Sequence, residues 1–168
     1  MNVVLVGYRG TGKSACGRLL AERLGLRVVS LDAEIQRKAG QPIPDIVAAR
    51  GWPGFRDLEE EVVRDAAAGD GQVIDCGGGV VEREANFEVL RSAGPVIWLK
   101  ATPATIVSRI QGDTQRPSLT GNKSFTDEVT EVLQRREPLY RRLAQHEIDT
   151  DSLAPAEIAS QIVVWLGK

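Results

Sequence analysis

The segment Gly7-Tyr8-Arg9-Gly10-Thr11-Gly12-Lys13-Ser14 has the G-x-x-x-x-G-K-[ST] spacing of a loop that cradles phosphate. Small residues let backbone N–H groups turn inward around an anion, and the N-terminus of a following helix adds partial positive charge. The Lys13 ammonium is placed to reach the β- and γ-phosphates of ATP, and the Ser14 hydroxyl is a ligand for Mg²⁺. Gly10, Thr11, Gly12, Lys13, Ser14 and Ala15 are therefore the candidate nucleotide-binding residues. A glycine-rich β–α turn with an exposed lysine could share this composition. The apolar run before the loop and the helical spacing after it favour the cradle. Cys16 and Gly17 read as small packing residues.

Other residues cluster where an acceptor would have to sit. Asp32 follows the second apolar run, so its carboxylate is expected at the same sheet edge as the phosphate loop, placed to be a base for an acceptor hydroxyl. A helix N-cap explains an aspartate there equally well. Arg56 and Glu59 stand three apart on one helical face, and Gly77, Gly78 and Gly79 follow the third run, where only backbone can approach a ligand. Arg116-Pro117 falls in a polar stretch, and Arg136-Glu137-Pro138 is expected to break a late helix. Taken singly, arginines are more often solvated charges.

These residues need a frame. Residues 3–6, 27–31, 72–76 and 95–99 are short apolar runs, rich in valine and isoleucine and continuous, as strands of a parallel sheet buried on both faces should be. A weaker fifth strand is expected at residues 146–149. Helical spacing appears at Cys16, Leu19, Leu20 and Leu24 ahead of Gly25, then over residues 57–68, 103–111, 126–143 and 154–166. Alternating strands and helices predict a three-layer α/β/α fold, with ligands at the carboxyl ends of five parallel strands. Residues 112–123, polar and without regular spacing, are expected to form a mobile lid, and residues 32–60 the acceptor-binding region.

Composition narrows the classes. The 168 residues, 42% of them hydrophobic, suit one domain with its own core. A net charge of −2 gives no bulk basic field for nucleic acid. No apolar stretch approaches the roughly 20 residues of a membrane span, and a cleavable signal peptide would remove the phosphate loop. Two cysteines, Cys16 and Cys76, form no metal or disulfide pattern and suit a reducing, cytoplasmic setting. The only histidine, His146, lacks a nucleophile in any recognisable motif nearby. A monomer is expected.

Taken as an ordered set, the phosphate loop, Asp32, Arg56, Glu59, Gly77 to Gly79, Arg116 and Arg136 resemble the shikimate kinase family over essentially the whole chain. The resemblance implies a P-loop kinase that takes ATP, Mg²⁺ and shikimate. It implies that Lys13, Asp32 and Arg116 are catalytic, with Asp32 as base and Arg116 closing on the phosphates from the lid. It makes Arg56 and Arg136 the clamp for the acceptor carboxylate and Gly78 and Gly79 the backbone against its ring. Arg109 would stack over adenine, and residues 149–155, including Pro155, would form the adenine loop. Three positions depart from the family pattern: Ser30 where an aspartate near the metal is usual, Gln36 for a glutamate, and Ser118 where a leucine follows Arg-Pro. Asp75, at the end of the third strand where a Walker-B-type aspartate sits, is the candidate to share the metal with Ser14. Capping a nearby backbone turn is the competing reading. Two other readings stay open: a different small-molecule kinase such as a gluconate kinase, and a nucleotide-binding regulator without turnover.

Overall fold

A computed structural model describes residues 1–110, 118–120 and 124–168. Five strands form one parallel sheet: β1 (Val3–Val6), β2 (Arg27–Ser30), β3 (Gln72–Asp75), β4 (Val96–Lys100) and β5 (His146–Asp149), in the spatial order β2-β3-β1-β4-β5. The helices are α1 (Lys13–Leu24), α2 (Leu31–Ala39), α3 (Ile43–Ala67), α4 (Ala85–Ala93), α5 (Pro103–Ile110), α6 (Phe125–Leu143) and α7 (Pro155–Trp165), with a short 3₁₀ turn at Gly78–Glu82.

Strand pleating divides the core. Val3 and Leu5 of β1 point to one face, where Cys16, Leu20 and Ala21 of α1 and Ile158, Ala159 and Ile162 of α7 cover them. Val4 and Val6 point to the other, into a larger core built from α2 to α6 with Phe55, Leu90, Trp98 and Tyr140. With helices on both faces, every side chain of β1 is buried, which is why its sequence is a continuous apolar run. The expectation of burial on both faces fails for β2. It is an edge strand, and Arg27 and Val28 are exposed.

Three local readings change. The helix expected over residues 57–68 is the second half of α3, which starts at Ile43 and bends at Gly51, where φ is 68°. Pro138 does not break α6, which runs on to Leu143; it leaves the Gln134 carbonyl without its helical donor, while Leu133, Arg136, Tyr140 and Leu143 stay packed in the interior. Asp32 is not a helix cap. That place belongs to Ser30, whose Oγ accepts a hydrogen bond from the Ala33 N–H at 3.3 Å, so α2 begins at Leu31 and Asp32 lies in its first turn.

The lid expected over residues 112–123 falls mostly outside the described residues, as does Arg116. Among the described residues no helix is long and apolar enough to cross a membrane.

Removal of the Ser30 hydroxyl should destabilise the fold. Ser30→Ala loses one cap and is expected to cost about 0.5–2 kcal/mol, read as a lower urea midpoint at unchanged slope.

Candidate active site

The phosphate loop owes its shape to contacts with its neighbours. A Cβ on Gly7 would stand 2.4 Å from the Leu99 carbonyl oxygen at the end of β4, so a side chain there would collide with backbone. Gly12 has φ 93°, a left-handed conformation, and immediately precedes α1. Thr11 Oγ1 donates to the Tyr8 carbonyl at 2.8 Å, and Lys13 Nζ donates to the carbonyls of Gly7 at 2.7 Å and Tyr8 at 2.9 Å. The lysine is thus folded back along the loop rather than extended into solvent, and it is only 7% exposed. No acidic residue lies in the first turn of α1 to oppose an anion at its N-terminus.

Parallel register sets what faces this loop. Asp75 ends β3 beside Leu5 of β1 and Ser30 of β2, and its Oδ2 accepts from Ser14 Oγ at 2.7 Å. Gly10, Gly12, Lys13, Ser14, Ala15, Ser30, Asp32, Asp75, Gly77 and Gly78 line one open cleft, so the sequence-predicted phosphate, metal and base residues are brought together. Asp32 Oδ1 would be 2.8 Å from a Cβ on Gly77, and Glu59 Oε2 would be 3.2 Å from it. Glycine at 77 keeps the backbone close to both carboxylates. The pair of hard oxygen donors, Ser14 hydroxyl and Asp75 carboxylate, fits a Mg²⁺ ion that keeps several waters.

A second cavity adjoins the first. Tyr8, Arg9, Trp52, Arg56, Gly78, Gly79, Leu119 and Arg136 line it, and Arg9 and Gly78 belong to both. Arg56 Nη1 donates to Glu59 Oε1 at 2.9 Å, and its guanidinium packs over the Trp52 and Phe55 rings at 5.3 and 5.2 Å. Burial pushes the Glu59 carboxyl above its usual range, against the pull of Arg56. Arg136, nearly fully buried, donates to Glu82 Oε1 at 3.1 Å and lies 5.6 Å from the Tyr8 ring centre. The Gly78 carbonyl accepts from Tyr140 Oη at 2.5 Å. At Gly79 a Cβ would lie 2.1 Å from Arg56 Nη2, which means the guanidinium lies directly on the glycine backbone.

Arg109 takes a different place from Arg56 and Arg136. It donates to the Gly10 carbonyl at 3.2 Å and to the Thr150 carbonyl at 2.9 Å, tying the phosphate loop to the segment after β5 that leads to Pro155, the first residue of α7. Sequence reasoning missed Tyr8, Trp52, Glu82 and Leu119. Trp52 was findable, one helical turn before Arg56 on the same helix. The others come from separate elements, and no local spacing announces them.

A phosphate-cradling loop at the carboxyl edge of a parallel sheet, continuous with a cavity lined by three arginines, defines a P-loop small-molecule kinase. The profile of the shikimate kinase family matches residues 9–167. The shikimate kinase of Symbiobacterium thermophilum is 45% identical over 165 residues, covering 97% of this chain and 94% of that protein. That of Nitratidesulfovibrio vulgaris is 43% identical over 153 residues, covering 89% and 87%. The solved shikimate kinase from Acinetobacter baumannii in complex with shikimate superposes with a TM-score of 0.93 at 34% identity, covering 99% of this chain and 93% of that one. The chain belongs to the shikimate kinase family and is an ATP-dependent kinase.

The glycine beneath Arg56 should be needed for acceptor binding rather than for folding. Gly79→Ala pushes aside the flexible end of Arg56, so shikimate affinity should fall by about tenfold or more while ATP affinity holds, measured by titration calorimetry.

Proposed function

We propose that the chain transfers the γ-phosphoryl group of ATP to the 3-hydroxyl of shikimate, with Arg56 and Arg136 receiving the acceptor's carboxylate. The observation that carries this reading is the continuity of the two cavities through Gly78: one holds phosphate-binding groups, the other the guanidiniums of Arg56 and Arg136, with Arg9 shared between them. An acceptor anchored by its carboxylate on the arginine side would extend past Gly78, which both cavities share, and present its ring hydroxyls toward Asp32 in the phosphate cleft. Arginine suits this task because its planar fork meets a carboxylate with two parallel hydrogen bonds.

Asp32 orients the acceptor hydroxyl and takes its proton as the oxygen attacks phosphorus, a contribution on the order of 10²–10⁴-fold. Lys13 leaves the loop carbonyls for the β- and γ-phosphates and stabilises charge on the group in transfer. Arg116 is assigned to the same charge from the lid. Arg109 and Pro155 border the adenine, a role supported by the Arg109 bridge between Gly10 and Thr150. Ser14 and Asp75 would hold Mg²⁺, which neutralises phosphate charge and orients the β- and γ-oxygens when bound. Cys16 and Cys76 are buried free thiols, as a cytoplasmic protein would keep them.

ADP release should require shikimate and should not be supported by gluconate at equal concentration; turnover of gluconate alone would replace this acceptor, and tight binding of both ATP and shikimate without ADP release would mean a regulator. Asp75→Asn should raise the Mg²⁺ concentration for half-maximal activity and weaken Mg²⁺-dependent ATP binding in calorimetry. An unaltered Mg²⁺ dependence of binding in a folded variant would remove Asp75 from the metal site.

A further inference from the structure

One buried carboxylate outside the reacting groups gathers an exceptional set of donors. Glu128 lies in the first turn of α6, after the Ser124 cap, and is only 3% exposed. Its Oε1 accepts from Ser118 Oγ at 2.6 Å, the Leu119 N–H at 2.7 Å, the Thr120 N–H at 2.9 Å and Thr120 Oγ1 at 3.1 Å. Two successive backbone N–H groups aimed at one anion form a nest, and bonds to an ionised acceptor are about twice as strong as neutral ones. Burial pushes the Glu128 carboxyl up, yet the hydrogen bonds from Ser118, Thr120 and Leu119 outweigh it and leave it below the usual range.

Ser118 is also held from the opposite element. Trp52 Nε1 on α3 donates to the Ser118 carbonyl at 3.3 Å, and the Trp52 ring packs on Arg56. Leu119 is thereby pinned between α3 and α6, and it lines the arginine cavity together with Trp52, Arg56, Gly79 and Arg136. It also packs against the larger hydrophobic core. Ser118 to Thr120 are thus a strap, tied along its length to a buried carboxylate and at Ser118 to an aromatic side chain of the arginine cavity.

We propose that Glu128 is a positioning residue for acceptor binding: its carboxylate fixes the strap at Ser118 to Thr120, and the strap fixes Leu119 as an apolar wall against the acceptor ring. The proposal rests on the arginine cavity being the acceptor site. Glu128 touches neither substrate nor reacting atoms and acts only through Leu119. A glutamate serving α6 alone, by its charge near the helix N-terminus, would support stability without selecting between the two substrates.

Glu128→Gln keeps the size and removes the charge. Amide exchange at Leu119 and Thr120 in the free protein should then accelerate, and shikimate affinity should fall by about fivefold to tenfold with ATP affinity within about twofold. Leu119→Ala should weaken shikimate similarly, and the double variant should lose little more, as expected of two residues acting through one contact. Unaltered exchange at both amides would overturn the anchoring. Faster exchange with unchanged shikimate affinity would overturn the link to the acceptor. Equal weakening of both substrates, or full additivity in the double variant, would make Glu128 a general stability residue and also overturn it. Should Glu128→Gln not fold, Ser118→Ala removes one of the four donors and is read by the same two measurements. Failure of the wild-type protein to bind shikimate would instead remove the acceptor reading, and the exchange result would stand independently.

Discussion

At the end of β1 the backbone of Gly7 presses against the Leu99 carbonyl at the end of β4, leaving no room for a Cβ. This contact fixes where the phosphate loop leaves the sheet. Because β1 lies between β3 and β4, the same register that brings Leu5 beside Ile97 brings it beside Asp75 on the other side. The loop therefore emerges with Ser14 against the Asp75 carboxylate, and Asp75 leads directly into the three glycines of the acceptor side. A shift of one residue in β3 would turn Asp75 into the opposite face and carry the glycines out of reach. Positioning of both halves of the site is in this sense a property of the central strands.

Glycine serves two distinct physical ends in this chain. Gly12 needs a left-handed φ, whereas Gly79 needs empty space, because the Arg56 guanidinium occupies the volume a methyl group would take. The second use explains how a charge can be held near the interior without a deep water-filled channel. Arg56 is compensated by Glu59 along its own helix and by the Trp52 and Phe55 rings, and Arg136 by Glu82 and Tyr8. Each guanidinium is thus paired before any substrate arrives. Donors held in this way are already oriented and largely desolvated, so less ordering entropy would be lost if an anion were bound there.

The phosphate loop and the central strands were legible in the sequence because their signals are local. A continuous apolar run reports burial on both faces, and the Gly-Lys-Ser spacing reports a turn into a helix. The first half of α3 was not legible, since Gly51 and Pro53 interrupt the periodicity that would have announced it. Asp32 was ambiguous between base and cap for a related reason: both roles place an aspartate just after a strand, and only the hydrogen bond of Ser30 to Ala33 assigns the cap elsewhere. Tyr8 and Glu82 could not have been found, because their places in the site depend on Arg136, more than 50 positions away. Residues that pair across the fold leave no spacing to read.

The described site also separates the support of its two ligands. The phosphate cleft is held by side chains that reach backbone carbonyls, Lys13 on Gly7 and Tyr8 and Arg109 on Gly10 and Thr150, and by the left-handed Gly12. The arginine cavity is held by side chains from α3 and α6 and by residues 118–120. The carbonyl partners of Lys13 and Arg109 can be supplied by any residue, though the donors cannot, whereas a pair such as Arg56 with Glu59 fixes the identity of both members. Gly78 and Arg9 are where the two supports touch. A fold arranged this way can keep its nucleotide chemistry fixed while altering what it phosphorylates through a few side chains on two helices.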